Sequence, residues 1–173
     1  LVRSLVTIKE RSQSLPRFQA NGILFLDDGG LLFFPPALMQ RIRATQIESD
    51  RLRTYERYNN PDLEGEQSLS FSLAVLCYRL FTGVDPFPAD NEEDIHNRMR
   101  EHQPAAPQLL VPEIKKGVSD DVSSSLDKGS EKSLTLEEWD YRLARWDKEG
   151  VRESIAEVDK DKLLESGRRF TQK

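Results

Sequence analysis

The stretch 68–82, SLSFSLAVLCYRLFT, is the most apolar part of the chain and decides its fold. It is hydrophobic nearly all round, which is typical of a helix that lies at the centre of a core. Gly83 follows directly and can end that helix as a C-terminal cap. The sequence therefore predicts a central buried helix, with a core around four of its side chains: Phe71, Leu73, Leu76 and Leu80.

Upstream of this helix, residues 22–39 read GILFLDDGGLLFFPPALM. Two short apolar runs, 23–26 and 31–34, flank Asp28-Gly29, a pair that favours a tight hairpin turn. Neither run alternates between apolar and polar residues, so we expect burial on both faces or one face pressed on helices. Pro35 and Pro36 then end the second strand.

Four further segments carry helical signals. The pattern at 37–58 is helical and charged, and its mixed arginines and acids indicate a solvated face, with an anion or partner site as the alternative. A polar helix is expected at about 91–102 and a short helix opened by Ser119 within 118–129. Thr135 with Glu138 forms a capping box. The helix after it has an apolar side made of Leu136, Trp139, Leu143 and Trp146.

Composition limits the classes of function. The chain has 173 residues and a net charge of -5, which predicts one domain and argues against a general nucleic-acid binder. No stretch reaches the roughly 18 apolar residues that a membrane span needs. The lone cysteine, Cys77, excludes an internal disulfide and, lying in an apolar run, indicates a packing role and a reducing, cytoplasmic location. Because the N-terminus lacks Met and a signal-peptide pattern, we expect a piece of a longer soluble chain.

Local motifs indicate no active site. Neither His96 nor His102 stands near cysteines or paired carboxylates at ligand spacing, so both are interpreted as surface residues of a polar helix. Gly29-Gly30 is too short to cradle a phosphate. Asp27 and Asp28 suit a hairpin turn better than a metal site. We therefore predict no catalytic residue, no metal and no cofactor from local pattern.

The order of the segments is more informative. FSLAVLCYRLFTGVDPF, 71–87, resembles the F-helix run of protein kinases, GILFLDDGG, 22–30, resembles the stretch after their catalytic loop, and TLEEWDYRLARW, 135–146, resembles the last helix of the lobe. The chain thus resembles a protein kinase C-terminal lobe over 1–147. The resemblance implies a mainly α helical bundle with a small β-hairpin, and 148–173 reads as a charged helical tail or connector.

Carried over residue by residue, the resemblance implies a degenerate site. The magnesium-binding Asp of the family's Asp-Phe-Gly motif corresponds to Pro35, and the second metal ligand, an Asn, corresponds to Gly22. The catalytic base falls on Arg17. The F-helix Asp, which supports the catalytic loop, corresponds to Leu69.

One acid of the family pattern is kept. Asn60-Pro61-Asp62 stands where Ala-Pro-Glu closes the activation segment. The Arg that pairs with this acid in the family corresponds to Ser133, and the neighbouring Lys132 is its expected substitute.

The resemblance implies a catalytically inactive, pseudokinase-like module that acts as a regulatory or protein-interaction scaffold. Its expected partner is another protein or another domain of the same chain, without nucleotide, and its candidate contact residues are Phe33, Phe34 and Leu38. Two alternatives stay open. One is an unconventional nucleotide-dependent transferase using Asp27, Asp28 or Asp62, and the other is an unrelated helical regulatory domain.

Overall fold

The computed structural model describes residues 1–11, 15–27, 31–127 and 133–152. Over these residues the protein is mainly α, with eight α-helices and one two-stranded sheet. The helices are α1 Val2–Arg11, α2 Pro36–Thr45, α3 Glu48–Thr54, α4 Gly65–Thr82, α5 Glu92–Glu101, α6 Pro107–Leu110, α7 Lys116–Leu126 and α8 Leu136–Glu149. The strands are β1 Ile23–Phe25 and β2 Leu31–Phe33. None of the described helices is both long and apolar enough to cross a membrane.

Helix α4 is the central buried helix that the sequence predicts. Phe71 and Leu73 are buried, and α4 packs against α6, α7 and α8. Gly83 ends the helix in the left-handed region, at φ +77, and its N–H donates to the Arg79 carbonyl. The expected core was wrong at Leu80, which is 70% exposed. Residues four apart share a helix face, and this stripe runs from the partly buried Leu76 out to solvent.

The last helix, α8, also begins where the sequence predicts. Thr135 accepts a hydrogen bond from the Glu138 N–H, and the Glu138 carboxylate accepts one from the Thr135 N–H, which completes the capping box. Trp139 is fully buried and its indole N–H donates to Ser70 Oγ on α4 at 2.9 Å. The Trp146 ring lies edge-on to Trp139. These contacts hold α8 on the central helix.

The hairpin is confirmed, with each strand one residue shorter than predicted. The strands pair antiparallel with Leu24 opposite Leu32 and Ile23 opposite Phe33. Ile23 and Phe33 pack on the core, whereas Leu24 and Leu32 are 46% and 47% exposed. The hairpin therefore packs one face on the helices and leaves the other face exposed, which is the second of the two alternatives that the sequence left open. The Asp28-Gly29 turn lies outside the described residues.

The charged segment 37–58 is not one helix. It divides into α2, α3 and a 3₁₀ turn at Glu56–Tyr58, because the backbone of Gln46 and Ile47 is extended between the two helices. Met39, Leu52 and Tyr55 are buried, but Leu38 and Ile47 are exposed, so the apolar residues of this segment do not form one continuous buried stripe.

The start of α7 also differs from the prediction. The helix begins at Lys116, and Ser119 lies inside it and is buried. The Ser119 hydroxyl accepts a hydrogen bond from the Gln108 N–H of α6, so it makes a tertiary contact instead of a cap. After α8, Arg152 pairs with Ile114 in an isolated β-bridge. The remainder of the expected helical tail, 153–173, lies outside the described residues.

Candidate functional site

A cavity of about 530 Å³ lies where the hairpin, α1, α2 and α4 meet; we call it the hairpin cavity. Most of its lining is apolar. The lining residues are Leu5, Ile8, Leu15, Pro16, Arg17, Phe18, Gln19, Gly22, Ile23, Phe33, Phe34, Pro35, Pro36, Met39, Gln40, Arg43, Tyr55 and Leu69. No carboxylate is among these described residues. The cavity therefore offers a binding surface of apolar groups, two guanidinium groups and two amides.

The four positions that the sequence assigned to a degenerate catalytic site all line this cavity. They are Arg17, Gly22, Pro35 and Leu69. Arg17 lies in the extended chain after Pro16, and its guanidinium donates to the Leu63 carbonyl at 3.3 Å. Leu69 comes from α4 and is 1% exposed. Positions up to 52 residues apart in the sequence are thus brought to one place.

Gly22 has little room for a side chain. It ends a 3₁₀ turn at Ala20–Gly22 and is buried. A Cβ at this position would lie 3.2 Å from Met39 Cε and 3.4 Å from Gln19 Cβ. Because Met39 is itself only 3% exposed, it fills the space into which a longer residue would project. An amide side chain at position 22 would require Met39 to move.

The two prolines begin a helix instead of a ligand-bearing loop. Pro36 is the first residue of α2, where its fixed φ suits the helix and no N–H is needed. The Pro35 carbonyl accepts hydrogen bonds from the N–H groups of Leu38 and Met39 at 3.0 and 3.1 Å. Pro35 contributes its ring to the hairpin cavity but no polar side-chain atom.

The candidate contact residues differ in exposure. Phe33 and Phe34 are half-buried and line the hairpin cavity, so they face inward more than expected. Leu38 is 43% exposed. The sequence interpretation missed three exposed leucines of the hairpin, Leu24, Leu26 and Leu32, which we call the hairpin surface. Their alternate spacing along the strands was the available signal.

The three acidic residues considered for catalysis, Asp27, Asp28 and Asp62, do not form a common site among the described residues. Asp62 accepts hydrogen bonds from Nε and Nη2 of Arg100 on α5, at 3.0 to 3.2 Å. The Ser133 hydroxyl lies 3.2 Å from that of Ser70, and Lys132 falls outside the described residues. Asp27 is exposed, and Asp28 lies outside the described residues.

A second cavity, of about 400 Å³, lies beside α2, α3 and the start of α5. The Glu56 and Glu92 side chains line it. His96 Nε2 lies 3.1 Å from Glu56 Oε2, and the potential ligand atoms of Glu56, Glu92 and His96 all lie within 4.8 Å of one another. Burial raises the pKa of Glu56, the charge of Glu92 raises it further, and His96 opposes the shift.

The sequence interpretation missed this cluster. His102 is exposed as expected, but His96 is half-buried, and the statement that neither histidine stands near paired carboxylates was wrong for His96. Glu92 and His96 are four residues apart in α5, and that spacing puts them on one helix face. The third member, Glu56, comes from a 3₁₀ turn 36 residues before Glu92 and carries no local signal.

Cys77 is a packing residue. It is 5% exposed on α4, and burial raises the pKa of its thiol to about 12. A neutral buried thiol is a poor nucleophile. The interpretation of Cys77 as a small hydrophobic side chain agrees with this environment.

Comparison with known protein families and curated proteins identifies no relative of this chain. No protein-family model matches the sequence, and a search of curated proteins finds no match. The fold defines the class only as a mainly α-helical protein with one small hairpin.

Proposed function

We propose that the chain is a catalytically inactive module, similar to a protein kinase C-terminal lobe, that acts by binding another protein or another part of its own chain. One observation carries the proposal. The positions that the resemblance assigns to the metal ligands, the base and the supporting Asp all line the hairpin cavity, and they hold Pro35, Gly22, Arg17 and Leu69.

That these four positions line one cavity supports the alignment with a kinase C-terminal lobe. Their residue types support the proposed lack of catalytic activity. Phosphoryl transfer depends on carboxylate and amide groups that hold magnesium on the phosphates, with an Asp that accepts the hydroxyl proton. Pro35 and Gly22 have no side-chain oxygen, and the guanidinium of Arg17 offers hydrogen-bond donors but no acceptor, so it cannot take the place of a base. A positive charge near the base position would also repel a metal ion.

The packing of α4 gives further support. The unrelated helical domain would be favoured if 68–82 were not a central helix, and α4 is central. The Pro-Phe pair after Gly83 folds back onto this helix, since the Phe87 ring stacks on Phe71 with centroids 5.8 Å apart. The order hairpin, Asp62, α4 and Phe87 is the order on which the resemblance depends.

The hairpin surface and Leu38 provide the proposed contact area. Four leucines, each more than 40% exposed, lie on the hairpin and the adjoining helix α2. Apolar side chains grouped on a surface are typical of a site covered by a partner. In the family the second lobe would lie over this end of the molecule.

The test is a comparison of Leu32→Asp and Leu38→Asp with Leu109→Asp. Leu109 is 77% exposed on α6 and provides a matched control. Tagged wild-type and variant chains are used to capture proteins from an extract of the source cells, and bound proteins are quantified by mass spectrometry. We expect a protein captured by the wild type and by Leu109→Asp to be lost from both other variants, with melting temperatures unchanged. The same captured set for all four chains would contradict the proposed surface.

A further inference from the structure

We propose that Glu56, Glu92 and His96 form a binding site for a divalent transition-metal ion, with Zn²⁺ as the preferred probe. This inference is independent of the proposed function, since the cluster lies outside the hairpin cavity. It depends on the geometry of the three side chains, the burial of Glu56 and the adjoining cavity.

The spacing of the donor atoms suits one small ion. A tetrahedral ion with ligand bonds of about 2.0–2.1 Å holds its ligand atoms about 3.3 Å apart. His96 Nε2 and Glu56 Oε2 are already 3.1 Å apart. All three donor atoms lie within 4.8 Å of one another. The distances from the Glu92 donor atom therefore need to shorten by at most about 1.5 Å to reach that spacing. Glu92 and His96 are four residues apart on α5, so their side chains lie on the same helix face.

The buried carboxylate is the second observation. The Glu56 side chain is only 8% exposed, and within the described residues His96 is its one side-chain hydrogen-bonding partner. A buried carboxylate needs compensation for its lost hydration. His96 reaches one oxygen only, and Glu92 brings a second carboxylate to the same place. A cation bound among them would neutralise the Glu56 carboxylate and would add to the charge that Arg51 already places beside Glu92.

Two arginines border the site without occupying it. Arg51 donates to Glu92 Oε2 at 3.1 Å, which leaves Glu92 Oε1 for an ion. Carboxylate ligands commonly accept such an outer hydrogen bond while binding metal. The Arg43 guanidinium lies over the Tyr55 ring, 4.2 Å from its centroid, and this stacking holds it at the cavity wall. The Glu48 carboxylate faces the Glu92 N–H at 3.5 Å and adds negative charge nearby.

The donor set selects the kind of ion. One imidazole with two carboxylates suits Zn²⁺ and related transition ions, whereas Mg²⁺ and Ca²⁺ prefer oxygen ligands alone. Three protein ligands leave a fourth position. Because Glu56 and Glu92 line the 400 Å³ cavity, that position has space for a water molecule. The ion would also link the 3₁₀ turn at Glu56–Tyr58 to α5.

The experiment is calorimetric titration of the metal-free full chain with Zn²⁺, and in parallel with Mg²⁺. We expect one equivalent of Zn²⁺ to bind and to raise the melting temperature, with no comparable effect of Mg²⁺. His96→Gln should weaken Zn²⁺ binding by about tenfold or more, and Glu92→Gln should do the same. His102→Gln is the matched control, because His102 is the other histidine of the chain, is exposed, and should not affect binding.

Side-chain NMR of the two histidines gives a separate readout. Zn²⁺ should shift the imidazole resonances of His96 and leave those of His102 unchanged. Absence of Zn²⁺ binding by the folded wild type would overturn the proposal. So would undiminished binding by His96→Gln, or resonance shifts confined to His102. None of these results bears on partner binding at the hairpin surface, so failure here is distinguishable from failure of the proposed function.

Discussion

Leu69 shows at the scale of one residue how the hairpin cavity differs from a catalytic cleft. It is 1% exposed, lines the cavity from α4 and has apolar neighbours such as Phe18 and Met39 around the same space. The sequence identified this position through the resemblance. It did not show that Met39 closes the space beside Gly22, because that contact joins two elements and has no local pattern.

Leu69→Asp should destabilise the fold by about 3 kcal/mol or more, because a buried carboxylate without a partner loses its hydration. Urea unfolding followed by circular dichroism measures the change. Leu80→Asp on the same helix is the control, since Leu80 is 70% exposed and its substitution should change stability by about 0.5 kcal/mol or less. A Leu69→Asp variant as stable as the control would mean that the site still accommodates the family's carboxylate.

At the scale of elements, the segments with strong local signals are the ones that the sequence predicted. Helix α4 is apolar all round, α8 has a capping box, and the hairpin has two apolar runs about a turn. The break between α2 and α3 was missed because neither Gln46 nor Ile47, whose backbone is extended, is a glycine or proline that would signal the end of a helix. The start of α7 was missed because the Ser119 hydroxyl accepts a hydrogen bond from Gln108 of α6 and does not cap α7.

Thr135→Ala should lower the stability of the protein by about 1 kcal/mol, because it removes the side-chain acceptor for the Glu138 N–H at the start of α8. Chemical denaturation measures this difference. Thr7→Ala is the control: the Thr7 hydroxyl bonds to the Arg3 carbonyl inside α1 and caps no helix end. Equal losses from the two variants would show that the capping box contributes nothing particular to α8.

At the scale of the whole molecule, Lys9 joins three helices that are distant in sequence. From α1 its ammonium group donates to Glu66 on α4 at 2.8 Å and to Glu137 on α8 at 2.9 Å. These bonds raise the pKa of Lys9, and the Lys9 bond lowers the pKa of Glu137. A lowered acid pKa adds stability above the unfolded value, and a raised lysine pKa adds stability below it.

Lys9→Met should therefore cost stability between about pH 4.5 and 10.5, the unfolded-state values of Glu137 and Lys9. We expect a loss of about 1 kcal/mol or less at pH 7, because Glu137 is half exposed and solvent screens the pair. The difference from the wild type should fall as the pH drops below 4.5 and Glu137 is protonated. Unfolding curves from pH 3 to 9 test this, and a difference independent of pH would contradict the ionic origin.

The two candidate sites differ in how far their residues could be grouped from the sequence. The sequence predicted no cavity, but the resemblance to kinases grouped Arg17, Gly22, Pro35 and Leu69 as one degenerate site, and all four line the hairpin cavity. The Glu56, Glu92 and His96 cluster was not, since only the Glu92–His96 spacing is local and Glu56 joins it through the fold. The exposure of the hairpin surface was left open, because alternation groups these leucines on one face but uniformly apolar strands do not reveal which face packs on the helices.

Thermal unfolding of the chain with increasing ATP and either Mg²⁺ or Mn²⁺ tests directly whether the protein binds nucleotide. A ligand that binds the native state raises the melting temperature by mass action. Because Pro35, Gly22 and Arg17 stand where the resemblance to kinases would place the metal ligands and the base, we predict no shift with nucleotide beyond that caused by the metal salt alone. A shift that rises with ATP concentration and requires the divalent metal would establish a nucleotide site. It would contradict the proposal that the module is inactive and binds no nucleotide.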